Sequence, residues 1–145
     1  MRYRIRSSLE SERRPREEAT IPFGFRHIER VGREMRLNGH PIFLRGTLDC
    51  AVYPNTGHPP MTVPEWERVL GVIKEYGFNH VRFHTWCPPE AAFEAADRLG
   101  VYLQAEAPAW VDDWGRDTVT KPPAIGRNPE ITDFLRRELR RMSEA

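Results

Sequence analysis

Residues 77–108, GFNHVRFHTWCPPEAAFEAADRLGVYLQAEAP, decide the fold. Two short alternating runs, residues 80–84 and 101–107, flank a segment with helical signals. That segment starts at two prolines and stops at Gly100, as a helix with a glycine just past its end does. Side chains alternate along a strand. Val81 and Phe83 therefore share one face of the first run, and Arg82 and His84 the other. In the second run Val101, Leu103 and Ala105 lie opposite Tyr102, Gln104 and Glu106. Each strand has an apolar face for packing and a face that carries charge.

The β-α-β pattern extends in both directions. Upstream, TVPEWERVLGVIKEYG (62–77) is a helix: Thr62 and Glu65 have capping-box spacing, Pro64 fits the first turn, and Gly77 suits the stop. Trp66, Val69, Leu70 and Ile73 fall on one side of it. A strand is expected over residues 42–48, with Ile42, Leu44 and Leu48 opposite Phe43, Arg45, Thr47 and Asp49. Downstream, residues 108–127 form a long connection rich in Trp, Asp, Gly and Pro. Asn128-Pro129-Glu130 then starts a third helix with the stripe Ile131, Phe134, Leu135, Leu139 and Met142. Strands alternating with helices imply a parallel sheet, either open and doubly wound or part of a barrel. No Gly-rich phosphate loop follows any strand, which argues against nucleotide binding.

The first 40 residues differ. YRIRSS alternates like a strand, SLESERRPREEAT is expected as a charged connection, and IPFGFRHIER is a second strand candidate. MRLNGHPIFLRG follows as a hairpin turning at Asn38-Gly39. Residues 1 to about 31 resemble the end of a β-rich unit but are too few for a sandwich of about seven strands.

Composition narrows the functional classes. The 145 residues are 39% hydrophobic and 30% charged, with net charge +1, as in a globular domain. No apolar run approaches the roughly 18 residues of a membrane span, and the first 18 residues have no apolar signal-peptide core. No membrane partner is expected, and the compartment is left undetermined. The 20 arginines against 2 lysines are scattered, so no nucleic-acid partner is expected either. Cys50 and Cys87 are too few for a disulfide scaffold. With His84 they match no zinc spacing, so neither metal nor cofactor is expected.

The polar residues Asp49, His84 and Glu106 gather at the C-terminal strand ends, where the active sites of β/α barrels lie. Trp86, Trp110 and Trp114 follow those ends and suit either sugar stacking or loop packing. Arg45 and Arg82 admit two roles: pairing with Glu106 in a buried charge cluster, or substrate contact.

GFRHIE, LNGHPIFLRG, IKEYGFNHVRFH and AADRLGVYLQAEAP, in that order and spacing, resemble the family 2 glycoside hydrolases, which include β-galactosidases, β-glucuronidases and β-mannosidases. The resemblance covers about residues 20–108. It implies an α/β fold, a partial (β/α)8 TIM barrel holding the first three β/α units, preceded by the last strands of an immunoglobulin-like β-sandwich. The implied domains are residues 1–36 for the sandwich strands and 37–145 for the barrel. Members are retaining enzymes with two glutamates about 5–5.5 Å apart. The acid/base normally follows the fourth strand in an Asn-Glu pair, and the nucleophile follows the seventh. The 145 residues contain no Asn-Glu pair, and a barrel needs about 250 residues. The expectation is therefore a fragment without catalytic residues of its own, inactive alone, acting in its parent on O-glycosidic bonds. Its implied sugar contacts are Asp49, Arg82, His84, Glu106 and Trp110. Arg82 and Glu106 match the family motifs directly; His84 and Asp49 match by location only. Asp49-Cys50-Ala51 stands where many members have Arg-His-Glu, and Ala105-Glu106 where many have Asp-Glu. These departures fall at the sugar pocket and point to a divergent subgroup. The expected partner is a carbohydrate. An open sheet edge also makes a second copy of the chain a candidate partner, in a non-catalytic, sugar-binding or oligomerising module.

Overall fold

A computed structural model describes residues 3–11, 14–108 and 129–144. They divide into two compact units, Met1–Phe43 and Leu44–Ala145. The first is all β. β1 (Tyr3–Ser11) and β2 (Arg14–Phe23) form an antiparallel hairpin in which Tyr3 faces Phe23 and Ile5 faces Ile21. The described residues of the charged connection expected over residues 8–20 are instead strand. Its described charged side chains, Glu10, Arg16, Glu17 and Glu18, are all exposed, so the ladder forms without burying any of them. β3 (Ile28–Val31), β4 (Glu34–Leu37) and β5 (His40–Ile42) make an antiparallel meander. The turn at Asn38-Gly39 forms as expected, both residues at positive φ, +52° and +79°. The Asn38 side chain braces the turn by accepting the His27 N–H at 2.8 Å and donating to the Phe25 carbonyl at 3.1 Å.

The second unit is α/β. β6 (Gly46–Asp49), β7 (His80–Phe83) and β8 (Tyr102–Gln104) form a parallel sheet in chain order. α1 (Val63–Glu75) and α2 (Glu90–Leu99) supply the crossovers. The Glu65 carboxylate accepts the Thr62 N–H at 3.1 Å and its hydroxyl at 2.6 Å, completing the predicted capping box. α2 stops at Gly100, whose φ of +67° is left-handed and suits a residue without Cβ. α3 (Pro129–Glu144) follows. Its stripe is only partly used: Leu135 is buried, while Leu139 stays exposed.

One core holds this unit together. Trp66 and Leu70 from α1, Ala92, Ala95 and Ala96 from α2, and Val81, Phe83 and Val101 pack in a single cluster. Both helices thus cover the Val81/Phe83 face. The three alanines of α2 keep its covering face flat, so the bulk comes from Trp66, whose ring meets Phe83 edge-on at 6.0 Å. Partners in register on parallel strands project to the same side. Leu48, Arg82 and Gln104 are such partners, and all three are exposed on the face opposite the helices.

Two expectations about the first strand change. The expected strand over residues 42–48 is broken: β5 ends at Ile42 and β6 begins at Gly46. Asn79 occupies the break, accepting the Arg45 N–H on Oδ1 at 2.7 Å and donating its own N–H to the Arg45 carbonyl at 3.0 Å. Gly46 begins the ladder opposite His80, and a Cβ there would stand 2.6 Å from the His80 Nδ1. The face assignment reverses as well. Asp49 is in register with Phe83, and Leu48 with Arg82, so Asp49 stands on the helix side rather than beside Arg82.

Candidate functional site

The C-terminal ends of β6, β7 and β8 bring together four of the five expected sugar contacts. Arg82 sits on β7 and points to the uncovered face. Its Nε–H donates to Oε1 of Glu106 at 2.5 Å. Glu106 lies two residues past the end of β8, and its second oxygen, Oε2, accepts the Thr85 N–H at 2.9 Å. The Gln104 amide reaches Oε1 at 3.4 Å, and the Glu106 N–H donates to the Trp86 carbonyl at 3.2 Å. Glu106 therefore staples the loop after β7 to the loop after β8. Thr85 has φ +62°, a left-handed conformation unusual for a β-branched residue. Strain of that kind persists where surroundings over-determine it; here the Thr85 N–H is spent on Glu106.

The electrostatics follow from this geometry. The Arg82 guanidinium, then the Thr85 N–H, hold the Glu106 carboxyl below its ordinary value, with His84 adding to the effect. In return Glu106 raises Arg82. The pair is partly open to solvent, with side chains 44% and 23% exposed. It is a poised, ionised pair at a rim rather than the buried cluster that the sequence allowed. Arg45 takes no part: its Nε–H donates to the Gly77 carbonyl at 2.7 Å, at the other end of the sheet.

Asp49 ties two loops together. Its carboxylate accepts the Ala51 N–H and the Tyr53 hydroxyl, each at 2.7 Å. Its carbonyl accepts the His84 N–H at 2.8 Å and the Trp86 indole N–H at 3.2 Å. Burial and the Asp49 carboxylate push the Tyr53 phenol well above its ordinary value, so Tyr53 stays a donor. Trp86, one of the three aromatics suited to sugar stacking or loop packing, turns inward. It packs edge-on against Phe83 at 5.0 Å and tilted against Trp66 at 6.4 Å. Trp110 and Trp114 lie outside the described residues.

His84 follows β7, and its Nδ1 lies 3.8 Å from Cys50 Sγ. The described residues contain no group of three or more metal-ligating side chains and no helix long and apolar enough to cross a membrane. Sequence reasoning missed Thr85 and Tyr53. Neither a strained backbone angle nor a phenol four residues beyond its carboxylate leaves a periodic signal.

No family model matches the chain. The chain is 33% identical over 91 residues to a β-galactosidase of Vibrio vulnificus, covering 63% of this chain and 9% of that protein. Two solved structures share its backbone. A glycosyl hydrolase family 2 member from Bacteroides cellulosilyticus matches with a TM-score of 0.61 and 27% identity, over 73% of this chain and 14% of that one. A β-glucuronidase of Parabacteroides merdae matches with a TM-score of 0.62 and 26% identity, over 74% and 13%. The chain spans about a tenth of the length of the curated relatives it matches. Over most of its 145 residues the chain resembles, in sequence and backbone, a stretch of the family 2 glycoside hydrolases.

Proposed function

We propose that this chain is part of a retaining glycosidase acting on O-glycosidic bonds. In this reading residues 37–145 are the first three β/α units of a (β/α)8 barrel, and residues 1–36 the closing strands of a β-sandwich. The observation that carries the reading is the Arg82–Glu106 pair, set on the face opposite α1 and α2 at the C-terminal strand ends, where barrel active sites lie. Arg82 and Glu106 act as an inner charge network. Its remaining N–H donors and lone pairs take sugar hydroxyls and orient the catalytic carboxylates. His84 contacts a hydroxyl from the end of β7. Asp49, with two carboxylate lone-pair positions already used, has two left for another. Trp110 supplies a stacking wall. The general acid and the nucleophile belong to residues outside these 145, which lack an Asn-Glu pair.

Titration of the chain with methyl β-galactoside, β-glucuronide and β-glucosaminide, followed by 15N NMR, tests the sugar site. Shifts centred on the Thr85 N–H and Arg82 Nε–H, lost in Glu106→Gln, are expected. Silence at both groups with every sugar removes the reading. Aryl β-glycosides should not be turned over. Turnover that disappears in Glu106→Gln would instead place catalysis within this chain.

A second reading rests on the sheet itself. β6 and β8 each have one described strand partner, and Leu48 is 52% exposed on the uncovered face. Two copies closing on those edges would make a sugar-binding half-barrel module. A single dimer peak in size-exclusion chromatography favours it; a monomer or broad aggregate removes it.

A further inference from the structure

The same end of the sheet carries a thiol that the sugar site does not use. Cys50 is the first residue past β6 and is exposed. Its Sγ lies 3.8 Å from Nδ1 of His84, the first residue past β7. The two residues are held together by backbone as well as by side chains. The His84 N–H donates to the Asp49 carbonyl at 2.8 Å. The Ala51 N–H donates to the Asp49 carboxylate at 2.7 Å, in a turn where Ala51 has φ +57°. These two bonds order the residues on either side of Cys50. Cys87 offers a contrast within the chain. It is half-buried, and its Sγ contacts the Pro88 carbonyl at 3.6 Å. It has no contact of this kind with a histidine, and burial pushes its thiol up.

We propose that Cys50 is a covalent modification site for small soft electrophiles, with His84 as the base that takes the thiol proton. A nucleophile is activated by a base within reach, and the thiolate is the reactive form of cysteine. With an alkyl halide, Sγ forms a bond to the halide-bearing carbon. The carbon–halogen pair leaves with the halide, and the S–H proton passes to Nδ1 in the tautomer that leaves Nδ1 unprotonated. The adduct would sit beside Arg82. Any block of sugar binding by it rests on the reading above; the reactivity does not.

The test is labelling of the chain with iodoacetamide, followed by peptide mass spectrometry, with glutathione as the free-thiol reference. Cys50 should react about tenfold or more faster than glutathione and than Cys87. His84→Gln should bring Cys50 down to the glutathione rate and leave Cys87 unchanged. A Cys50 no faster than glutathione in the native chain overturns the proposal, and so does an advantage that survives His84→Gln. A faster Cys87 in that variant would signal loss of the fold. The urea-unfolded native chain then makes the decision: the Cys50 advantage must vanish there, and its persistence overturns the proposal. Since no sugar enters the experiment, its failure is separate from failure of the sugar-site reading.

Discussion

Glu106 carries the clearest consequences at the scale of single residues. Its folded pKa lies below the ordinary 4.5, because Arg82 and then the Thr85 N–H favour the carboxylate. A depressed carboxyl adds stability that is fully present above its unfolded pKa and is lost as pH falls through the folded one. The urea midpoint of the native chain should therefore exceed that of Glu106→Gln at neutral pH. The gap should begin to narrow near the unfolded value of about pH 4.3 and close as pH falls through the lower folded one. Solvent screening of an exposed pair keeps the gap small. A gap independent of pH would mean that the residue acts through packing alone. Neighbouring residues show why charge sits at these strand ends. Glu106 pairs with Arg82 through one oxygen and holds the strained Thr85 turn through the other.

Among the elements, α1 and α2 are held by different means. α1 depends on its core contacts: Trp66 and Leu70 are fully buried. Leu70→Ala should cost about 2–5 kcal/mol, since such a site cannot fully collapse; a shift in the urea midpoint at unchanged slope would measure it. α2 has a face of alanines and depends on its end. Its C-cap is Gly100 at φ +67°, and Gly100→Ala should cost about 1–2 kcal/mol through left-handed strain. Thermal unfolding checks this, and an unchanged melting temperature would show that the turn relaxes elsewhere. The two helices also join at their surfaces, where Arg98 of α2 donates to Glu67 of α1 at 3.0 Å. That contact is exposed and contributes little compared with the core.

At the scale of the whole molecule, stability is unevenly divided. Every buried hydrophobic side chain among the described residues belongs to Leu44–Ala145. Met1–Phe43 contains a hairpin and a meander with Ile5, Ile21, Phe25 and Ile28 more than half exposed, and small antiparallel sheets of this kind need a packed face to persist. Residues 44–145 expressed alone should therefore unfold cooperatively, with the near-ultraviolet dichroism of a packed Trp66. Residues 1–43 alone should show no cooperative transition. Cooperative unfolding of residues 1–43 would show that their sheets are self-sufficient.

Periodicity made the second unit legible. The stripe on α1, the stop at Gly100 and the Val81/Phe83 face were all predicted from spacing, because burial against one layer imposes a repeat that can be counted. Arg82 and Glu106 were legible as charges on strands that otherwise want Val or Leu. What the sequence could not supply was register, since partners are 34 residues apart between β6 and β7 and 22 apart between β7 and β8. Hence the side taken by Asp49, the strand break at residues 43–45 and the inward turn of Trp86 emerged only when Asn79, Gly46 and Phe83 were in place. The strand character within residues 8–20 was likewise hidden behind its charges, because solvent-facing side chains do not report on a backbone ladder. The sequence by itself determined the β-α-β order of the second unit, the core faces of α1 and β7, and the charged strand ends. Tertiary structure decided which charges meet: Arg82 with Glu106, Asp49 with Tyr53, and Cys50 with His84. Each of those pairs is set by distance across loops and strands, which no local pattern along the chain encodes.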